Sequence, residues 1–144
     1  MSEFEELTKK ILAFRDERNW AQFHNPKDCS LSLVLEAAEV MEHFQWKSPV
    51  EIKEYMVSHK KEIGEELADV LYWVLLLAHD LKIDLVDASE KKLEKNRQKY
   101  PVEKALNRHA KYDKLWPNEF PNVRNIFPFI FRSPSYTIYT TIVV

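Results

Sequence analysis

Glycine occurs once in these 144 residues, as Gly64. A Walker loop or a dinucleotide fingerprint needs several glycines so that backbone N–H groups can approach phosphate. Any phosphate chemistry in this chain therefore has to use metal ions and Lys or Arg side chains. The same scarcity argues against a β-rich domain and for helices joined by Pro and Asn turns. Cysteine also occurs once, as Cys29, which excludes an intrachain disulfide and suits a reducing cytoplasm. Neither sign of charge dominates. The 21 Lys and Arg face 23 Asp and Glu, a formal net charge of −2, which gives no reason to expect a nucleic-acid polymer or a membrane as partner. Met1 leads into a charged amphipathic segment instead of a basic start and apolar run, so the expected location is cytoplasmic. The apolar run from Val70 to Ala78 is far short of the ~20 residues that cross a bilayer.

What is present reads as helices. Hydrophobic residues make up 45% of the chain, enough for the core of one domain. Ser2-x-x-Glu5 reads as a capping box, and Phe4, Leu7, Ile11, Leu12 and Phe14 follow at helical spacing to about Asn19. Asn25-Pro26 breaks the chain within a loop from about Trp20 to Ser30, and Asp28 or Ser30 can cap a second helix that runs to about Trp46. Ser48-Pro49-Val50-Glu51 joins a capping box to Pro at the first helical position, which predicts a short helix to about Val57. A long helix spans roughly Lys60 to Leu81, and Asp84 can cap a last one that stops near Lys99, before Pro101. A helix that is apolar all round, as Val70 to Ala78 is, is buried on all sides. In a chain this small that points to an oligomer interface.

Composition changes near residue 112. The segment from Leu115 to Val144 holds four of the seven prolines and a β-prone aromatic run. Residues 1–112 are thus expected to form one all-α domain, and residues 113–144 an irregular or β-prone tail to which no function is assigned.

Two acidic steps stand out, Glu36-x-x-Glu39 and Glu66-x-x-Asp69, with 26 residues between them. Residues three apart share a helix face, and each pair has apolar neighbours: Leu35, Ala37, Ala38, Val40 and Met41, then Leu67, Ala68, Val70 and Leu71. Acid-x-x-acid steps also begin at Glu3, Glu39, Glu51, Glu62, Asp84 and Asp87, so it is the apolar context that singles out these two. An ionised carboxylate in such a setting is costly unless something positive meets it. A hard cation such as Mg²⁺ or a network of salt bridges to Lys or Arg would both serve. A di-iron carboxylate bundle would need Glu-x-x-His steps. None of the five His has Glu three positions before it.

The stretches Phe14-Arg-Asp-Glu-Arg-Asn-Trp-Ala-Gln-Phe-His24, Glu36-Ala-Ala-Glu39, Phe44-Gln-Trp-Lys47, Glu65-Glu-Leu-Ala-Asp69-Val-Leu and Asn96-Arg-Gln-Lys-Tyr-Pro-Val-Glu-Lys104 resemble the MazG-like all-α nucleoside triphosphate pyrophosphohydrolases, and within them the small dCTP pyrophosphatases. The match runs in order from about Leu7 to Tyr112. It implies a helical bundle, a homodimer or homotetramer, Mg²⁺ as cofactor, and cleavage of a (deoxy)nucleoside triphosphate, dCTP or a modified dCTP, to the monophosphate and pyrophosphate. Such an enzyme would serve nucleotide-pool sanitation.

Carried over by motif, Glu36, Glu39, Glu66 and Asp69 would hold Mg²⁺ and form the catalytic centre. Trp20, His24 and Trp46 would line the base pocket, where stacking on aromatics is physically apt. Lys47, Lys92, Asn96, Lys104 and Lys111 match motif positions that could meet phosphate or sugar. The resemblance also implies a His nine residues before Trp20, where this chain has Ile11. The competing reading is a non-enzymatic helical interaction module, indifferent to Mg²⁺ and nucleotide.

Overall fold

The computed structural model describes residues 3–115, whose regular elements are all helical. They are α1 (Glu3–Asp16), a 3-10 turn (Trp20–Phe23), α2 (Pro26–Glu42), α3 (Pro49–Ser58), α4 (Lys60–Asp80), α5 (Leu85–Lys99), α6 (Val102–Ala105) and α7 (Tyr112–Leu115). The Ser2 cap and most of the expected tail lie outside the described residues. No helix among them is long and apolar enough to cross a membrane.

Proline and asparagine set the helix boundaries. Ser48 caps α3 through the expected box: its hydroxyl accepts from the Glu51 N–H at 3.4 Å, and the Ser48 N–H donates to Glu51 Oε2 at 2.7 Å. These bonds hold the Glu51 carboxyl below its ordinary range, and a cap of this kind is worth about 1 kcal/mol. The second helix starts earlier than the sequence predicts. Its cap is Asn25, whose Oδ1 accepts from the Asp28 N–H at 3.1 Å, with Pro26 in the first turn. Asp28 and Ser30 therefore lie inside the helix, Ser30 turning its hydroxyl back to the Pro26 carbonyl at 2.6 Å. At the other end α2 stops at Glu42, short of the predicted Trp46, and the chain turns through residues 43–47.

Because the single glycine lies within α4, left-handed backbone falls to other residues: Asn19 (φ 53), Trp46 (φ 64), Lys82 (φ 55) and Asn107 (φ 59). Asn tolerates this conformation. Lys82 occupies the left-handed position that ends α4, where the Ile83 N–H reaches the Ala78 carbonyl at 2.8 Å. Trp46 is bulky and sits there at a cost of about 1 kcal/mol.

The described residues fall into two compact units divided after Leu85. In the first, α2 and α1 pack on α4. Ile11, Cys29, Leu75 and Leu76 are buried at the centre, with Leu12, Leu71, Tyr72, Trp73, Leu77 and Leu85 against them. Burial pushes the Cys29 thiol up from its ordinary value. Arg15 of α1 reaches Asp80 at the end of α4 at 3.3 Å. Ile11, which holds the place of the expected His, is a core residue. Within the Val70–Ala78 run, Leu75, Leu76 and Ala78 are buried and the others half-buried, so one chain covers this stretch only in part. Along α2, Leu31, Val34, Leu35 and Met41 remain more than half exposed.

The loop after α2 is anchored at both ends. His43 Nδ1 is hydrogen-bonded to the Tyr55 hydroxyl at 2.9 Å, and Lys47 Nζ lies 4.1 Å from the centre of the Tyr55 ring. Tyr55 in turn stacks on His59 at 3.9 Å. These contacts fix the segment that presents Trp46.

In the second unit, α5 is held by ion pairs along its own length, Lys91 to Asp87 at 2.7 Å and Arg97 to Glu94 at 3.2 Å. None of its side chains is fully buried. Beyond it, Tyr100 meets Tyr112 edge to face at 6.1 Å.

Candidate functional site

Packing α2 along α4 brings the two acidic steps together. Carboxylate oxygens of Glu36, Glu39 and Glu66 lie within 4.8 Å of one another. Glu36 and Glu66 are half-buried, while Glu39 is exposed. Asp69, one turn after Glu66, is not in that closest group, but its charge acts on Glu39. The apolar neighbours that flagged these pairs are less buried than expected, since Leu35, Met41 and Leu67 are each more than half exposed. The acids gather because of helix register, and burial contributes less than the sequence suggested.

Electrostatics bear on the two readings of the cluster. Glu39 has its carboxyl raised above the ordinary value, chiefly by the charge of Glu66, then by desolvation, a hydrogen bond with Glu66 and the charges of Glu42 and Asp69. None of the ion pairs among the described residues involves Glu36, Glu39, Glu66 or Asp69. A salt-bridge network would have placed Lys or Arg among them. What stands there is a set of oxygen donors that repel one another, the donor chemistry a hard divalent cation requires.

Beside the acids is an aromatic wall. His24, between the 3-10 turn and α2, meets the Trp73 ring edge to face at 5.4 Å. Its Nδ1 is buried without a hydrogen-bond partner among the described residues, and such an atom is costly unless a ligand or water meets it. Trp73 Nε1 donates to Glu36 Oε1 at 3.4 Å, so the wall adjoins the carboxylates. Sequence reasoning counted Trp73 only as part of an apolar run. The available signal was its place four residues after Asp69, one helical turn along the same face.

The other candidates are more scattered. Trp20 packs edge to face on Phe14 at 5.8 Å, with the Arg18 guanidinium 3.7 Å from the Phe14 ring centre. Trp46 is 95% exposed. Lys47 is engaged with Tyr55. Lys92 and Asn96 on α5, Lys104 on α6 and Lys111 just before α7 belong to the second unit. Lys92 and Lys111 are exposed there, and Asn96 and Lys104 are half-buried.

Comparison with known proteins adds an independent line. The MazG-like family matches residues 31–115, which include both acidic steps. The chain is 37% identical over 113 residues to dCTP pyrophosphatase 1 of Rattus norvegicus, covering 77% of this chain and 66% of that protein. It is 35% identical to dCTP pyrophosphatase 1 of Homo sapiens over the same shares. It thus spans just under two thirds of the length of these relatives. The crystal structure of a pyrophosphatase from Archaeoglobus fulgidus DSM 4304 superposes with a TM-score of 0.67 at 40% identity, covering 70% of this chain and 94% of that one.

Proposed function

The chain belongs to the MazG-like family, and we propose that it is a Mg²⁺-dependent nucleoside triphosphate pyrophosphohydrolase acting on dCTP or a modified dCTP. The observation that carries this reading is the trio of carboxylates within 4.8 Å of one another, none of them in an ion pair with Lys or Arg among the described residues. Similarity to dCTP pyrophosphatases supports the substrate class.

Glu36, Glu39, Glu66 and Asp69 would hold Mg²⁺, which when bound supplies positive charge to the phosphate oxygens and polarises the attacking water. One of the four carboxylates takes the proton of that water as its oxygen bonds to phosphorus. The P–O bond between the α- and β-phosphoryl groups breaks, giving the monophosphate and pyrophosphate, with no covalent enzyme intermediate. His24 and Trp73 form one wall for the base. Trp20 and Trp46 offer further stacking surfaces. For Trp46 the strained backbone and near-complete exposure suit a residue kept for contact with a ligand or a second copy. Lys47, Lys92, Asn96, Lys104 and Lys111 serve phosphate or sugar in this reading. The exposed stripe of Leu31, Val34, Leu35 and Met41 favours a homodimer or homotetramer, and the cytoplasm is the expected location.

The test is pyrophosphate release from canonical and 5-modified (deoxy)nucleoside triphosphates. The expected result is release that ranks dCTP or its 5-modified analogues first by kcat/KM. Another base in first place would keep the chemistry and overturn the selectivity. No release from any nucleotide would restore the interaction-module reading.

A further inference from the structure

Trp73 touches two things at once. Its ring edge faces His24 at 5.4 Å, and its indole N–H donates to Glu36 Oε1 at 3.4 Å. Its neighbour Tyr72 meets the ring edge to face at 5.1 Å, and the ring packs on the buried cluster of Ile11, Cys29, Leu75 and Leu76. The indole is therefore held by the core, and the N–H points from a fixed frame. Glu36 is different. It is half-buried on α2 and paired with no Lys or Arg among the described residues.

An indole N–H donates but cannot accept or bind a cation. Its contribution to the carboxylate cluster must therefore be orientation. We propose that Trp73 is a positioning residue: its N–H holds the Glu36 carboxylate in the orientation that receives the divalent cation. The proposal rests on the reading of the acidic cluster as a Mg²⁺ site. A free Glu loses side-chain rotamer freedom when it is fixed against an ion. A carboxylate already held by a rigid donor loses less, so the ion binds more tightly. The bond spends one lone pair of a carboxylate that has about four, leaving the rest for the cation. Because the same ring walls the His24 side, the two functions of Trp73 can be separated by removing the N–H and keeping the ring.

Replacement of Trp73 by β-(3-benzothienyl)alanine does this, since it has the indole shape with sulfur in place of N–H; Trp73→Phe, which removes the N–H together with part of the ring, is measured beside it. Calorimetric titration with Mg²⁺ alone reads the site without turnover. The expected result for both is about tenfold weaker Mg²⁺ binding. The Mg²⁺ concentration giving half-maximal pyrophosphate release from dCTP rises in parallel. For the benzothienyl variant, the melting temperature of the metal-free protein stays within error of the parent. A purely structural role would lower the melting temperature and leave Mg²⁺ affinity alone. If the parent binds Mg²⁺ and releases pyrophosphate while the benzothienyl variant binds Mg²⁺ equally well, the proposal fails and the site reading stands. If the parent does neither, both fail together.

Discussion

Glu39→Gln is expected to lower pyrophosphate release by at least about 10²-fold while leaving the metal-free protein as stable as the parent, or more so. The two halves of this result come from one arrangement. Glu39 shares its surroundings with Glu66, Glu42 and Asp69, and their charges raise its proton affinity. A carboxyl whose folded pKa lies above its unfolded one binds more protons when folded. Stability of the metal-free protein therefore falls as pH rises from the ordinary Glu range through the raised folded value. Gln has the same shape without the charge, so the variant escapes that repulsion and its stability should depend less on pH across that window. It also lacks an anionic ligand, so stabilisation by added Mg²⁺ should shrink. Thermal melts of parent and variant, with and without Mg²⁺ and across pH, check each part. An active Glu39→Gln protein, or one that unfolds, would remove Glu39 from the centre.

Leu76→Ala is expected to destabilise the protein by about 3 kcal/mol, the usual cost of truncating a fully buried Leu, and to lower the melting temperature by roughly 10 °C. Among the described residues, Leu76 is the side chain with no exposure at all, at the centre of the small core that α4 helps to form. That helix also carries Glu66, Asp69 and Trp73. Loosening its seat should move these groups relative to α2, so turnover should fall even well below the melting temperature, since displacements near 1 Å at a reacting centre are costly. Melts at fixed protein concentration, paired with turnover at 20 °C below the midpoint, test the link between core and site. A variant melting within about 2 °C of the parent would contradict this account of the core.

Helix positions were legible where local chemistry decides them. Ser48-Pro49-Val50-Glu51 specifies a cap on its own, and α3 begins there with both hydrogen bonds made. The spacing of Glu36, Glu39, Glu66 and Asp69 predicted helix faces correctly, and the packing of α2 on α4 brings three of the four into one cluster. The start of α2 was misread because Asn25, Asp28 and Ser30 lie within six residues and are all good capping types, while Asn25-Pro26 was read only as a break. Pro26, which cannot donate a backbone hydrogen bond, favours the residue before it. The exposure of Leu35, Met41 and Leu67 depends on which surfaces meet, which periodicity does not specify. Trp73 was hidden for a related reason: in an apolar run an indole reads as core, and its N–H matters only once α2 has placed Glu36 beside it.

The most direct measurement is product identity. The best nucleotide of the panel is incubated with the protein in Mg²⁺ or in EDTA, and the phosphorus species are followed by ³¹P NMR. The account predicts nucleoside monophosphate and pyrophosphate in equal amounts with Mg²⁺ and no turnover in EDTA. Nucleoside diphosphate with orthophosphate, or hydrolysis that EDTA leaves untouched, would contradict it.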